Sequence, residues 1–181
     1  RTFSWHDATA AFSPTGERLL TTGAGLGDTA RMRDASTGEV VRNFTTNHSG
    51  FIKSAAFSPT GECVVTPVNG NTGISVKTWD ASTGEVLRSF NGHQDLVNSA
   101  VFSPAGDRVL SASDDGTAMM WDASSAELLV AFKGHRGTVT SASFSPAGGR
   151  VLTASSDGLA KMWNASTGEA LHDFKGHTLG V

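Results

Sequence analysis

From Leu96 to Phe102 the chain alternates small, apolar and polar side chains, and Ser103-Pro-Ala-Gly106 then supplies the Pro and Gly of a tight reversal. A second strand-like run, Arg108-Val-Leu-Ser-Ala-Ser113, follows, and Asp114-Asp-Gly116 turns the chain again. Thr117-Ala-Met-Met-Trp121 makes a third run, and after Asp122-Ala-Ser-Ser-Ala126 comes a fourth, Glu127-Leu-Leu-Val-Ala-Phe132. The turns are too short for crossover helices, so the pattern predicts an antiparallel four-stranded meander. Three of its strands carry no charged face, as strands packed on both sides require. The fourth mixes charge with a terminal Phe: Val86-Leu-Arg-Ser-Phe90 and Ala170-Leu-His-Asp-Phe174 read as outer, solvent-facing edges, where charge discourages edge-to-edge pairing.

The unit recurs. Phe-Ser-Pro-x-Gly begins at Phe12, Phe57, Phe102 and Phe144, in steps of 45, 45 and 42 residues. A period of about 40 to 45 residues belongs to four-stranded propeller blades rather than to helical repeats. Four units are predicted, over residues 8–44, 51–90, 96–132 and 138–174. Gly134-His135, Phe-Ser-Pro-x-Gly, Ser155-Ser-Asp157-Gly and Met162-Trp163-Asn164, recurring in fixed order across nearly all 181 residues, resemble the WD40 repeat family of β-propellers. The resemblance implies an all-β fold, a β-propeller of WD40 type, of which four four-stranded antiparallel blades are present. Family rings close with seven or eight blades. A segment of a longer propeller is therefore the first expectation; two copies completing one ring, or a four-bladed ring or capped arc, are the others. The absence of an initiator Met and the termination inside Gly176-His-Thr-Leu-Gly-Val181 fit a segment.

By the same resemblance, a His before the first strand, a hydroxyl on the second, an Asp in the next turn and a Trp on the third form a structural hydrogen-bonded cluster. Blade three would use His93, Ser113, Asp115 and Trp121, and blade four His135, Ser155, Asp157 and Trp163. Ser111 and Thr153, two residues earlier on the same strand faces, are alternatives for the hydroxyl. A buried Trp N–H and imidazole need such partners. Blade one departs from the pattern, with Phe3 at the His position, Asp28 displaced and Arg33 in place of Trp. The Arg33 guanidinium is expected to reach solvent or an acidic partner over an apolar-covering stem. Blade two keeps His48 and Trp79, but Thr66 to Gly73 reads as a lengthened turn without the Asp.

His, Asp and Ser together invite a hydrolase reading, but the trio repeats in adjacent blades with Trp as a fourth member, and no Ser lies on a Gly-x-Ser-x-Gly elbow. No enzyme activity is expected. The once-per-blade His residues stand too far apart to share a metal, and Cys63, the single thiol, has no ligand partner in sequence, so neither metal nor cofactor is expected. Gly23-Ala-Gly-Leu-Gly27 joins two strands with no helix after it, unlike a dinucleotide loop.

A net charge of −3, with 14 Lys and Arg dispersed over the repeats, argues against nucleic acid. Nothing suggests membrane insertion, and one unpaired Cys fits an intracellular, by default cytoplasmic, site. The function implied by the resemblance is a non-catalytic protein-interaction scaffold, a structural or adaptor subunit of an assembly. A regulatory region of a larger enzyme, such as a kinase or nucleotide hydrolase, is the alternative. Loops on a rigid scaffold carry specificity, which nominates Gln94, Asp95, Asp114 and Arg136, together with Asn69 and Asn71 of the blade-two hairpin and Arg31 and Arg33, where the repeats differ.

Overall fold

The computed structural model describes residues 7–23, 29–45, 50–70 and 73–175. They contain strands and turns only, with no helix long and apolar enough to cross a membrane. Blade one comprises β1 (Asp7–Phe12), β2 (Arg18–Gly23), β3 (Thr29–Asp34) and β4 (Val40–Thr45). Blade two comprises β5 (Gly50–Phe51), β6 (Ala56–Phe57), β7 (Cys63–Gly70), β8 (Gly73–Asp80) and β9 (Val86–Phe90). Blade three is β10 (Val97–Phe102), β11 (Arg108–Ser113), β12 (Thr117–Asp122) and β13 (Leu128–Lys133). Blade four is β14 (Val139–Phe144), β15 (Arg150–Ser155), β16 (Leu159–Asn164) and β17 (Ala170–Lys175). Each is an antiparallel meander; in blades one, three and four neighbours in sequence are neighbours in the sheet, and in blade two β5 and β6 both pair with β7.

The recurring turns explain the recurring strands. After the first strand of blade one, the Ser13 N–H donates to the Arg18 carbonyl at 2.9 Å, and its Oγ accepts a bond from the Arg18 N–H at 3.0 Å. Gly16 takes φ +76° in this turn, a left-handed value that favours glycine. Ser58, Ser103 and Ser145 repeat the arrangement. The third and fourth strands are joined by an Asx-type turn, in which Asp34 Oδ1 accepts bonds from the Ser36 N–H, the Ser36 hydroxyl and the Thr37 N–H. Asp80, Asp122 and Asn164 do the same.

Blade two corrects the sequence reading. Thr66 to Gly73 does not form a lengthened turn: both strands grow to eight residues, and the ladder runs as far as Gly70 opposite Gly73. The first strand instead breaks into β5 and β6, which pair with Asn69–Gly70 and Val64–Val65 of β7. The break lies opposite Pro67, which has no N–H to offer a ladder.

The core lies between the sheets, in three clusters, one per junction. Leu20, Met32 and Phe44 of blade one meet Ile52, Val64 and Trp79 of blade two. Val65, Val76 and Phe90 of blade two meet Val97, Val109 and Trp121, and Leu110, Met120 and Phe132 of blade three meet Val139, Val151 and Trp163. At every junction the Trp ring packs against the Phe that ends the preceding blade, with centroids 5.8 to 6.0 Å apart. Blade four has no such follower among the described residues. Phe174 is 43% exposed, whereas Phe44, Phe90 and Phe132 are at most 1% exposed. Leu152 is also 43% exposed, whereas its counterpart Leu110 is fully buried.

Candidate functional site

The strand register places the residues of the polar clusters. Ser111 pairs across the sheet with Met119, two residues before Trp121, so its hydroxyl and the indole share a face. Trp121 Nε1 donates to Ser111 Oγ at 3.0 Å, and His93 Nε2 lies 2.8 Å from the same oxygen. His93 Nδ1 meets Asp115 Oδ2 at 2.8 Å. An ionised carboxylate only accepts, so Nδ1 carries the proton, Nε2 accepts, and the Ser111 hydroxyl donates to it. Blade four repeats the geometry: Trp163 donates to Thr153 Oγ1 at 2.8 Å, His135 Nε2 lies 2.7 Å from it, and His135 Nδ1 meets Asp157 at 2.9 Å.

Two of the expected hydroxyls are thereby corrected. Ser113 and Ser155 lie two residues nearer the turn and use their side chains there. Ser113 Oγ donates to the Asp95 carbonyl and accepts from the Asp115 N–H, and Ser155 Oγ accepts from the Asp157 N–H. The Trp–His bridge belongs to Ser111 and Thr153. In blade two Thr66 receives the Trp79 N–H at 2.8 Å, from the same position two residues back across the ladder. Phe3, Asp28, His48 and Asn71 lie outside the described residues.

The imidazoles are inside the protein: the His93 and His135 side chains are 2% and 1% exposed. Burial pushes the His93 pKa below its ordinary 6.5, against the opposing pull of Asp115, so the ring is neutral at pH 7. Asp115 is itself held below the usual carboxylate range, because bonds from Thr117, His93 and the Gln94 N–H outweigh the effect of burial. For Asp157 the Arg136 N–H, His135 and the Leu159 N–H outweigh burial and bring the value to about 2. Both ring nitrogens of each His are engaged, and the hydroxyl between His93 and Trp121 is fully buried. Such a hydroxyl has no access to a substrate, so the quartet acts as internal bracing. Among the described residues no group of three His, Cys, Asp or Glu could hold a metal ion.

The same carboxylates also pin loops. Asp115 Oδ2 accepts the Gln94 N–H at 3.0 Å and Asp157 Oδ2 the Arg136 N–H at 2.9 Å. The Gln94, Asp95 and Arg136 side chains remain exposed on these fixed backbones. The other nominated contacts are drawn inward. Asn69 is 1% exposed and forms a two-bond rung with Val97 of blade three, Nδ2 to O at 2.8 Å and N–H to Oδ1 at 2.7 Å. It is an inter-blade clamp and not a surface contact. Asp114 accepts from Asn98 Nδ2 at 2.7 Å. Asn98 in turn donates to the Val139 carbonyl of blade four and accepts from Lys53 Nζ of blade two at 2.6 Å. Arg31 is half-buried opposite Asn43. Arg33 is also half-buried, and its guanidinium donates to the Gly38 carbonyl within its own blade at 3.1 Å.

The sequence reading did not assign roles to Thr66, Lys53 and Asn98. Lys53 and Asn98 each lie four residues before the Phe of Phe-Ser-Pro, which was a usable signal: a polar side chain recurring in an otherwise small and apolar inner strand.

No curated protein matches the chain in sequence. The model of the WD domain, G-beta repeat, matches residues 84–122 and 126–164. Each match runs from the turn before one blade's fourth strand to the end of the next blade's third strand. Repeats of this type generally mediate protein–protein interactions. With four antiparallel sheets in series and a His–hydroxyl–Asp–Trp brace in both matched segments, the chain is a WD40 repeat protein.

Proposed function

We propose that this protein is a non-catalytic scaffold or adaptor that holds protein partners in a multi-protein assembly. The supporting observation is the double use of Asp115 and Asp157. Each braces a buried His and also fixes the backbone of an exposed loop, so Gln94, Asp95 and Arg136 are presented on anchored main chain. A side chain on an anchored loop loses less freedom on binding, which favours affinity. Asp95→Lys and Arg136→Glu should weaken partner binding, read by co-purification and calorimetry, while leaving the melting midpoint unchanged. Unaltered binding by both variants would remove this rim from the function.

Blade four's exposed flank supports a second element of the proposal, packing against a further blade. By analogy with the three filled junctions, a third-strand Trp of that blade would pack over Phe174. Fully burying Phe174 and Leu152 stabilises by about 1.5 to 3 kcal/mol each. Light scattering of the chain beside a Leu152→Glu variant tests this: loss of association in the variant supports the proposal, and identical masses oppose it.

A further inference from the structure

Two Asn-Gly steps occur in the chain, Asn69-Gly70 and Asn91-Gly92, and the fold treats them differently. Glycine has no side chain to shield its nitrogen or restrict its backbone. The nitrogen that follows an Asn can therefore attack that residue's own amide carbon, provided both groups are free to meet.

At Asn69 they are not free. The side chain is 1% exposed, its Nδ2 donates to the Val97 carbonyl at 2.8 Å, and its Oδ1 accepts the Val97 N–H at 2.7 Å, so the amide cannot turn toward its own main chain. Gly70 is held in the ladder on both sides, opposite Gly50 and Gly73.

Asn91 is the opposite case. The strand β9 ends at Phe90, opposite Val76. The fourth strands of the other blades run one residue further, pairing Thr45 with Thr29, Lys133 with Thr117 and Lys175 with Leu159. Asn91 and Gly92 are thus exposed and outside the ladder, and among the described residues neither the Asn91 amide nor the Gly92 N–H has a hydrogen-bond partner. Packing keeps position 92 a glycine, because a Cβ there would lie 2.9 Å from Cη2 of Trp121. The step therefore exists because blade two has Asn91 where blades three and four have Lys133 and Lys175.

We infer that Asn91-Gly92 is a self-modification site, at which the folded protein converts Asn91 to aspartate and isoaspartate with water as co-reactant and so loosens the His93 brace. The Gly92 nitrogen attacks Asn91 Cγ. An N–Cγ bond forms, the Cγ–Nδ2 bond breaks, and the Gly92 proton leaves with Nδ2 as ammonia. Water then opens the succinimide, at Cγ to give aspartate or at the Asn91 main-chain carbonyl carbon to give isoaspartate, with no change of oxidation state. Both products add a carboxylate to the loop that leads into Gln94. Isoaspartate also inserts a methylene into the main chain next to Gly92, where the Trp121 ring leaves no room and His93 follows directly.

The test is to hold the 181-residue chain warm at mildly alkaline pH, folded and in urea, digest both samples at acidic pH and map the peptides by mass spectrometry. In urea both steps should convert at similar rates. In the folded chain Asn91 should exchange NH for O at close to its rate in urea, with isoaspartate detected by an isoaspartyl methyltransferase, and Asn69 about tenfold or more slowly, since its reaction needs local opening. The aged parent should melt below the fresh one, whereas Asn91→Lys should acquire no modification at this position and keep its midpoint on ageing. Folded Asn91 that converts as slowly as folded Asn69 overturns the assignment. Conversion that leaves the melting midpoint of the parent unchanged overturns the link to the brace.

Discussion

Removing the Ser111 hydroxyl tests the assignment of the brace directly. Ser111→Ala leaves two buried groups without partners: the Trp121 N–H, which donates to Ser111 at 3.0 Å, and His93 Nε2, at 2.8 Å. The two residues are 2% and 8% exposed, so water cannot take over. An orphaned buried group costs about 1 to 3 kcal/mol. Two of them, less the desolvation relief of deleting the hydroxyl, come to about 3 kcal/mol. For a domain of this size each kcal/mol moves the melting midpoint by about 2 to 4 °C, so the variant should melt about 6 to 12 °C lower. Ser113→Ala, two residues along the same strand, loses bonds to the Asp95 carbonyl and the Asp115 N–H beside an exposed loop, and should cost about 1 kcal/mol. Thr153→Val keeps the shape of blade four's bridge and removes only its hydroxyl, so it should resemble Ser111→Ala. Thermal melts and urea titrations monitored by tryptophan fluorescence measure all three. A loss from Ser113→Ala as large as that from Ser111→Ala would refute the reasoning.

Stability should depend on pH in two steps. Because the folded His93 pKa is lowered, the unfolded chain takes up a proton that the folded one refuses, and stability should fall as pH drops through 6.5. A second loss should follow between pH 3.8 and about 2, the window of Asp157, whose contribution is present above its unfolded value. A urea midpoint that is flat from pH 8 to pH 5 would contradict the first step. Asn69→Ala removes both bonds to Val97 at the junction of blades two and three, and should cost about 2 to 4 kcal/mol in urea unfolding. Ala126 takes φ +63° where Gly38, Gly84 and Gly168 occupy the corresponding turn. Ala126→Gly should therefore stabilise by about 1 kcal/mol, seen as a raised melting midpoint.

What could be read from the chain was what recurs in it. Phe-Ser-Pro-x-Gly acts through a turn made within a few residues, so its spacing located the repeats. The His, Asp and Trp of the brace were legible for the same reason. The hydroxyl was not, because Ser111 and Ser113 point to the same face and only the cross-strand register, Ser111 opposite Met119, decides which one the indole reaches. Asn69 was misread because a polar residue near a Gly-rich segment resembles a loop. Its burial depends on Val97 in the next blade, 28 residues away, and no local pattern reports that. The break in the first strand of blade two is likewise a long-range effect, imposed by Pro67 on a neighbouring strand.

The direction of the Phe–Trp contacts has a consequence for how the chain is made. Phe44, Phe90 and Phe132 each wait for a Trp that arrives 31 to 35 residues later in the sequence. A nascent blade leaving the ribosome therefore has an unfinished apolar face until its successor has been synthesised, and order should advance from the N-terminal end one junction at a time. Damage should travel the opposite way: loss of Trp121 would loosen its own brace and also uncover Phe90 in the blade before it.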